Sequence, residues 1–370
     1  MKKNKAVLPV KEHLKSLERI QNPAQTRIKF LRLDKNESIL GFPAEFVDIL
    51  RREIAPDFVN TYPEIDSLYE KIAGWVGCRR GNIYIAAGSD AAIKSTFEVF
   101  VEPGDKVALL SPTYAMFYVY TNMFQGQLVK IRYKEGLSLS TEDVLRVMDA
   151  HILKLICIAN PNSPTGTILP QKGLRNIIES AVKRKIIILI DEAYYLFYPE
   201  TVINLINDHP GLIVTRTFSK AMGLASARLG FAAAHPETIR YLQKVRPMYE
   251  TNAFAVKLGE LILDNLYIVE KNLEELRKGR EYLEKGLDKM GIPHFKSYTN
   301  FLLIDMGSFE RGAQIVNDLY RRNILIKGGF QDSELKKCIR VTIGSVEQMK
   351  FFMENFEEVY YSAGNKSEVT

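Results

Sequence analysis

One short stretch of the chain, residues 215–230 (TRTFSKAMGLASARLG), places a lysine and an arginine among hydroxyl-bearing and small apolar residues. Lys220 follows an apolar run that is typical of a buried strand, and the small residues after it leave room for a ligand. A lysine withdrawn from water has a lowered pKa and can act as a nucleophile or a general base. Arg228 is always charged, and its planar guanidinium group matches a phosphate. The stretch therefore predicts a reactive lysine beside an anion.

Polar residues also follow three other apolar runs. Asp191 ends the run IIILID, where an ionised carboxylate is costly without a cationic partner, although a helix cap or a solvated strand end is the alternative. Tyr114 follows KVALLSP and could stack on an aromatic ligand, or it could be an ordinary core or surface tyrosine. Ser89 and Asp90 open a helical pattern whose first N–H groups could bind a phosphate, or they could simply cap that helix. Because ligands of open α/β sheets bind at the carboxyl ends of strands, we expect one shared site.

Taken together, these residues match the requirements of pyridoxal phosphate (PLP). PLP forms a Schiff base with a lysine, which we assign to Lys220, and its ring nitrogen is kept protonated by an aspartate, which we assign to Asp191. The residues predicted to hold the phosphate are Ser89, Asp90, Thr217, Ser219 and Arg228. Tyr114 would stack on the ring. Once substrate displaces Lys220, its free amine is placed to move a proton, which is general acid–base catalysis.

The composition limits the partners and the compartment. The 370 residues are 46% hydrophobic and 25% charged, and the net charge of +6 is spread along the chain, which favours a small anionic substrate over nucleic acid. Cys78, Cys157 and Cys338 are widely spaced, so neither a metal site nor a disulfide framework is expected. No apolar run reaches the roughly 18 residues of a membrane span, and the basic N-terminus is too polar for a signal peptide. We expect a cytoplasmic protein without a membrane or nucleic-acid partner.

Strand-like and helix-like patterns alternate through the first two thirds of the chain. Several strand-like runs are apolar throughout, as in strands buried on both faces of a parallel sheet. The predicted strands are residues 82–88, 106–112, 128–133, 154–160, 186–194, 212–219 and 229–235, and the predicted helices between them are 89–101, 141–148 and 169–185. Repeated βα units indicate an α/β fold, a three-layer α/β/α domain with a mostly parallel sheet.

The pattern changes after this region. Residues 254–291 have the period of a long charged helix, broken once or twice, and end at a Gly-Ile-Pro stop signal. Shorter strands at 300–307, 323–329 and 338–344 alternate with helices and indicate a smaller α+β C-terminal domain. The predicted division is an N-terminal arm and extension that packs on the small domain and on a dimer partner (1–60), a large PLP-binding domain (61–255), a connecting helix (256–290) and a small domain (291–370).

The chain from about residue 30 to 358 resembles a fold-type I (class I/II) PLP-dependent aminotransferase of the histidinol-phosphate aminotransferase subfamily. Each motif alone is weak, but their order and spacing are highly specific. The motifs are LDKNE (33–37), TYPE (61–64), GSD (88–90), PTYAMF (112–117), NPNSPTG (160–166), DEAYYLF (191–197), TRTFSKAMGLASARLGF (215–231), NFLL (300–303) and IRVTIGS (339–345).

This resemblance implies a homodimer with its active sites at the subunit interface, and it supports the roles of Lys220 and Asp191. It adds Tyr194 as a contact to the ring oxygen of PLP. The phosphate contacts that it implies are Ser219, Arg228 and Tyr62 of the neighbouring subunit. It also implies that Arg340 binds the substrate carboxylate, which a guanidinium group recognises with two hydrogen bonds.

Two positions near the cofactor and substrate depart from the subfamily pattern. Ser163 stands where the subfamily has an asparagine that contacts the PLP ring oxygen, with Asn162 one place earlier, so both are candidate cofactor contacts. Lys327 stands where the subfamily has the arginine that binds the phosphate of histidinol phosphate. An ammonium group is a point charge without the two-pronged geometry of arginine. These departures affect the expected substrate more than the expected cofactor.

We therefore predict a PLP-dependent aminotransferase that moves an amino group from a common amino-acid donor to an oxo acid or aldehyde carrying phosphate, phosphonate or a second carboxylate. Segments such as GFPAEF also resemble aminotransferases of phosphonate and cell-surface polysaccharide synthesis, which is one alternative. A threonine-phosphate-type decarboxylase shares the fold and nearly all motifs. A remote alternative is a non-catalytic PLP-binding regulator, which would normally carry an added DNA-binding segment. A nicotinamide enzyme is rejected because no GxGxxG motif follows a first strand.

Overall fold

A computed structural model of the chain describes residues 8–17 and 27–364. Most of the predicted N-terminal extension lies outside the described residues, apart from a segment that contains α1 (Glu12–Lys15). Among the described residues, no helix combines the length and apolarity that crossing a membrane requires. No group of three or more His, Cys, Asp or Glu side chains in this part of the chain is arranged to hold a metal ion.

A seven-stranded sheet forms the centre of the large domain. In spatial order its strands are β2 (Ile83–Ala86), β8 (Gly230–Ala234), β7 (Leu212–Thr217), β6 (Ile187–Asp191), β5 (Leu155–Ala159), β3 (Lys106–Ser111) and β4 (Gln127–Arg132). All neighbours are parallel except β8, which is antiparallel to both β2 and β7. The predicted mostly parallel sheet is confirmed, and its parallel strands carry their polar residues to one carboxyl-terminal edge.

Helices cover both faces of this sheet. The helices are α3 (Asp66–Val76), α4 (Ser89–Phe100), α5 (Ala115–Met123), α6 (Thr141–Ala150), α7 (Gln171–Lys183) and α8 (Pro236–Leu242). Ile156 and Ile158 of β5 pack in one core with α6 and α7, whereas Leu155 and Cys157 pack on the opposite face with α4 and α5. Because successive side chains of a strand point to opposite faces, this division gives the predicted three layers.

Two consecutive helices lead out of the large domain. They are α9 (Ala253–Asp264) and α10 (Leu266–Lys289), and the break between them falls at Asn265, whose backbone is not helical. The Asn265 side chain donates a hydrogen bond of 2.8 Å to the Leu261 carbonyl and thereby satisfies a group at the end of α9. The long helix expected from the sequence is therefore broken once.

The smaller C-terminal domain has its own core. A three-stranded antiparallel sheet is formed by β9 (His294–Phe295), β10 (Phe301–Asp305) and β12 (Cys338–Thr342), with β10 in the middle. The helices α11 (Phe309–Arg321) and α12 (Val346–Gly364) and the strand β11 (Ile324–Ile326) complete it. Leu302, Leu319 and Phe352 are fully buried in this second core.

The segment that precedes α3 contacts both domains. Strand β1 (Leu31–Leu33) pairs in parallel with β11, and Leu33 is fully buried in the core of the small domain. Helix α2 (Ala44–Glu53) instead buries Phe46 in the core of the large domain, and Glu53 forms an ion pair of 3.1 Å with Lys257 of α9. Within the predicted arm of residues 1–60, β1 therefore packs on the small domain and α2 packs on the large domain.

Candidate active site

A cavity of about 530 Å³ lies at the carboxyl ends of the parallel strands, between the large and small domains. Its wall contains every site residue predicted from the sequence except Asn162 and Tyr62. These residues are Ser89, Asp90, Tyr114, Ser163, Asp191, Tyr194, Thr217, Ser219, Lys220, Arg228, Lys327 and Arg340. Residues more than 250 positions apart in the sequence are therefore gathered around one space.

One end of the cavity is built to bind an anion. Helix α4 begins there, and its N-cap is Gly88, which has no side chain to satisfy the free N–H groups of the first turn. Gly88 has a φ of +87°, a conformation that glycine adopts readily, and a Cβ atom on Gly230 would overlap the backbone nitrogen of Ser89, so both positions require glycine. Arg228 Nη1 lies 3.5 Å from Ser219 Oγ. Free N–H groups, a guanidinium group and a hydroxyl group suit a phosphate.

Lys220 projects from the segment directly after β7 toward the N-terminal part of the chain. Its ammonium group donates hydrogen bonds to the carbonyl oxygens of Lys35, at 3.2 Å, and Asn36, at 3.1 Å. The same nitrogen lies 5.8 Å from the centre of the Tyr194 ring. Lys220 makes no direct ion pair among the residues that the structure describes, although its charge lowers the pKa of Asp191 slightly against the larger effect of burial. Its position is therefore set by carbonyl groups, which do not neutralise its charge.

Asp191 is the last residue of β6, and its side chain is buried at the floor of the cavity. The residue is only 5% exposed, and its Oδ1 accepts a hydrogen bond of 2.8 Å from Thr215 Oγ1 on β7. Burial raises the pKa of Asp191 to about 7, partly offset by the hydrogen bond from Thr215. A cationic N–H group in the cavity would favour the ionised carboxylate. The predicted pairing of Asp191 with the ring nitrogen of PLP would supply such a group.

Two tyrosines form part of the cavity wall. The Tyr194 hydroxyl accepts a hydrogen bond of 2.9 Å from Asn36 Nδ2, and the residue is buried. The Tyr114 hydroxyl donates to Asp90 Oδ1 at 3.3 Å, and burial raises the pKa of Tyr114 above its ordinary range. Both rings are held at their hydroxyl ends, so their positions against a flat ligand are fixed.

The small domain contributes two cations to the opposite wall. Lys327 and Arg340 are joined by two backbone hydrogen bonds of 3.1 and 2.7 Å, which place them side by side. Arg340 Nη2 donates to the Asp34 carbonyl at 2.8 Å, while its buried Nε has no hydrogen-bond partner. Burial lowers the pKa of Arg340, and burial together with the Arg340 charge lowers the pKa of Lys327. Neither forms an ion pair within the described ranges, so an anion would be stabilised between them.

Two predicted site residues lie outside this cavity. Asn162 is buried behind its wall, where Nδ2 donates to the Pro112 carbonyl and to Thr165 Oγ1 and Oδ1 accepts from Thr113 Oγ1. It therefore supports the loop that presents Ser163. Tyr62 is 69% exposed and stacks on Tyr249, with 3.9 Å between the ring centres. Its predicted contact is with the cofactor of a neighbouring subunit.

The structure also adds residues that the sequence analysis did not single out. They are Lys35, Asn36, Phe330, Gln331 and Asp332, all in the cavity wall. Asn36 belongs to the LDKNE motif, which was a usable signal. The three residues after Gly329 lie in an irregular loop, and no periodicity marks their side chains as facing a site.

Comparison with known proteins shows which families this chain is similar to. The model of the family "Aminotransferase class I and II" matches residues 35–356. The histidinol-phosphate aminotransferase of Thermoanaerobacter pseudethanolicus is 30% identical, covering 89% of this chain and 92% of the relative. That of Clostridium novyi is 31% identical, covering 86% and 88%. A crystal structure of histidinol-phosphate aminotransferase from Sinorhizobium meliloti, in complex with pyridoxal-5'-phosphate, superimposes with a TM-score of 0.88 at 24% identity, covering 97% of this chain and 99% of that one.

Proposed function

The chain belongs to the class I and II aminotransferases, and from this premise we propose that it is a PLP-dependent transaminase acting on anionic substrates of the histidinol-phosphate type. The observation that carries the proposal is the arrangement of Lys220, Asp191 and Arg228 around one cavity. It combines an amine, a buried carboxyl group and an anion site. Curated relatives named histidinol-phosphate aminotransferase, at about 30% identity, support the same reaction class.

PLP fits the residues present. The uncapped start of α4, Ser219 and Arg228 would hold its phosphate, and Asp191 would pair with the ring nitrogen. Lys220 would hold the group covalently, and Tyr114, Tyr194, Ser163 and Thr217 are the remaining candidate contacts in the wall. When bound, PLP supplies an electron sink that stabilises negative charge at the substrate Cα. The Sinorhizobium meliloti relative was crystallised with this cofactor.

The remaining residues would bind the substrates. Arg340 offers a guanidinium fork for the α-carboxylate that amino-acid donors share. Lys327, beside it, offers a point charge for a second anionic group, which favours an acceptor with phosphate, phosphonate or another carboxylate. The amine of Lys220, released from the cofactor, would move the proton at the substrate Cα.

We further propose a homodimer of chains with an arm at residues 1–60, a large domain at 61–255, a connecting helix at 256–290 and a small domain at 291–370. Tyr62 would then reach the phosphate of the other subunit's cofactor, as the exposed position of its side chain permits. A reducing, cytoplasmic setting fits the three separate cysteines.

The experiment that tests the function follows the cofactor through a half-reaction. Purified protein saturated with PLP is mixed in turn with L-glutamate, L-histidinol phosphate and neutral L-histidinol, and the cofactor absorbance is recorded. We expect glutamate and histidinol phosphate to convert the absorbance to that of the amine form, and histidinol to do so poorly. Release of CO₂ from an amino-acid phosphate without this conversion would instead indicate a decarboxylase.

A further inference from the structure

Asn36 lies in the cavity wall in a conformation that few residues adopt. Its φ angle is +56°, in the left-handed region, and the residue is only 3% exposed. A residue other than glycine is costly in this conformation unless its surroundings hold it there. The N–H group donates to Thr342 Oγ1 at 3.1 Å, and the carbonyl oxygen accepts from Lys220 Nζ and Asn300 Nδ2, each at 3.1 Å. Both backbone groups are therefore bonded to other parts of the site.

The side chain of Asn36 is equally constrained. Its Oδ1 accepts from Thr342 Oγ1 at 3.3 Å, and this contact turns Nδ2 toward Tyr194, whose hydroxyl oxygen it reaches at 2.9 Å. A phenol oxygen that accepts a hydrogen bond still has its own hydrogen to donate. Asn36 thus fixes the Tyr194 ring at its hydroxyl end and directs the remaining O–H group toward another acceptor.

The same short segment contacts the substrate side of the cavity. The Asp34 carbonyl accepts a hydrogen bond of 2.8 Å from Arg340, and Thr342 follows Arg340 by two positions on β12. Asn36 is therefore connected through Thr342 to the strand that carries Arg340, and through its amide to Tyr194.

We propose that Asn36 is a positioning residue that acts on the reaction through Tyr194. This inference rests on the proposed function, because Tyr194 is given its role there as a contact to the ring oxygen of PLP. A residue that only maintained the left-handed turn could be replaced by glycine without effect on Tyr194, since glycine adopts this conformation freely.

Two variants separate the side chain from the turn. Asn36→Gly keeps the left-handed backbone and its carbonyl contacts but removes the amide. Asn36→Asp keeps the shape and replaces the amide donor with a carboxylate oxygen. The matched control is Asn323→Gly, because Asn323 also has a left-handed φ, of +60°, but lies before β11 and outside the cavity wall.

The main readout is the pH at which the visible absorbance of PLP bound at Lys220 changes. We expect both Asn36 variants to bind PLP and to shift this midpoint in the same direction as Tyr194→Phe, and Asn323→Gly to match wild type. In the Tyr194→Phe background, Asn36→Gly should cause no further shift, because the residue acts through the missing hydroxyl. Turnover should fall roughly 10- to 100-fold in the Asn36 variants, as expected from misplacement of a group beside the cofactor, with a smaller change in KM.

The outcomes distinguish this inference from the function on which it rests. Equal midpoints in wild type, Asn36→Gly and Asn36→Asp, or the same added shift with and without the Tyr194 hydroxyl, overturn the positioning role while the enzyme remains a transaminase. A wild-type chain that binds no PLP overturns the proposed function and this inference with it. Circular dichroism on each variant checks that the fold is retained. If the glycine variant does not fold, Asn36→Asp supplies the result through its comparison with and without the Tyr194 hydroxyl, which separates the effect of its added charge from the effect through Tyr194.

Discussion

Thr215 donates the hydrogen bond that the buried carboxyl group of Asp191 accepts, at 2.8 Å across the parallel pair of β7 and β6. The two residues are register partners, so the sheet itself sets this contact. One hydroxyl group does not replace the water that Asp191 loses, and its pKa stays raised at about 7. The carboxyl group is therefore suited to pair with a cation that enters the cavity.

This relationship predicts how stability depends on pH in the protein without cofactor. A carboxyl group whose folded pKa is about 7, against 3.8 when unfolded, stabilises the fold below pH 4 and loses this contribution as pH rises through 7. The difference corresponds to up to about 4 kcal/mol. The free energy of unfolding, measured in urea, should be lower at pH 8 than at pH 5 in the wild-type protein. In Asp191→Asn the same difference should be much smaller. Equal falls in both proteins would contradict the raised pKa.

A second prediction concerns the buried ion pair between Arg216 and Glu192, the residue that follows Asp191 in the chain. Glu192 and Arg216 are almost fully buried, and Arg216 donates to Glu192 Oε2 through Nε at 2.9 Å and Nη2 at 2.8 Å. Arg216→Met would leave a buried carboxylate without its cation and should destabilise the protein by about 3–5 kcal/mol. Denaturant unfolding measures this loss. Arg277→Met, which breaks exposed pairs with Glu274 and Glu281, is the control and should change little. Similar losses in both variants would count against the buried pair.

The sheet was predictable because its strands are buried on both faces and therefore appear as continuous apolar runs, as IIILI does directly before Asp191. The residues at the ends of those runs were predictable for the same reason, since parallel strands bring them to one edge. The LDKNE motif marked the segment that contains Asn36, but the place of this residue in the cavity wall was not predictable, because it depends on the pairing of β1 with β11, almost 300 residues later. Such long-range pairing leaves no local pattern. Phe330 and Asp332 line the cavity from an irregular loop, where no periodicity in the sequence predicts which side chains face the site.

The third prediction tests the attachment point of the cofactor. Lys220→Ala should fold, because the side chain lies at the cavity and makes hydrogen bonds to two carbonyl oxygens in the described part of the chain, but it should form no covalent link with PLP. Borohydride reduction followed by mass spectrometry of peptides detects the link. Lys327→Met removes a lysine from the small-domain side of the same cavity and should leave attachment intact. PLP found on the reduced Lys220→Ala chain would show that another lysine is used.

The fourth prediction tests whether Tyr62 acts across a subunit interface. Tyr62 lies outside the cavity of its own chain, so we expect it to act at the site of the other subunit. Tyr62→Ala should lower activity strongly because it removes a phosphate contact from that other site. Lys220→Ala should do so because it removes the attachment point of the cofactor from its own site. In a mixed dimer, one of the two sites would combine an intact Lys220 with an intact Tyr62 from the other chain. Mixing the two variants and allowing subunit exchange should restore about a quarter of wild-type activity. No recovery after exchange, or a fully active monomer in sedimentation, would exclude the shared site.

The last prediction concerns the choice of acceptor. Lys327 lies beside Arg340 without a carboxylate partner in the described part of the chain, and burial lowers its pKa. A neutral acceptor would leave this charge unpaired in the cavity wall, whereas a phosphate would pair with it. Lys327→Met should therefore weaken the transition state for phosphorylated acceptors by roughly 1.5–3 kcal/mol, the range for a hydrogen bond to a charged group. Neutral acceptors should change much less, so the preference between them should flatten.

The measurement is kcat/KM for imidazole acetol phosphate and for its unphosphorylated analogue, with glutamate as donor, in the parent and in Lys327→Met. Lys336→Met is the matched control, since Lys336 is exposed and lies in the same part of the small domain but outside the cavity wall. It should leave both values unchanged. If the ratio of the two acceptors is the same in the parent and in Lys327→Met, then Lys327 does not select the substrate. Arg340 alone would then bind the anionic groups, and a dicarboxylate or phosphate preference would have to come from residues such as Gln331 in the facing loop.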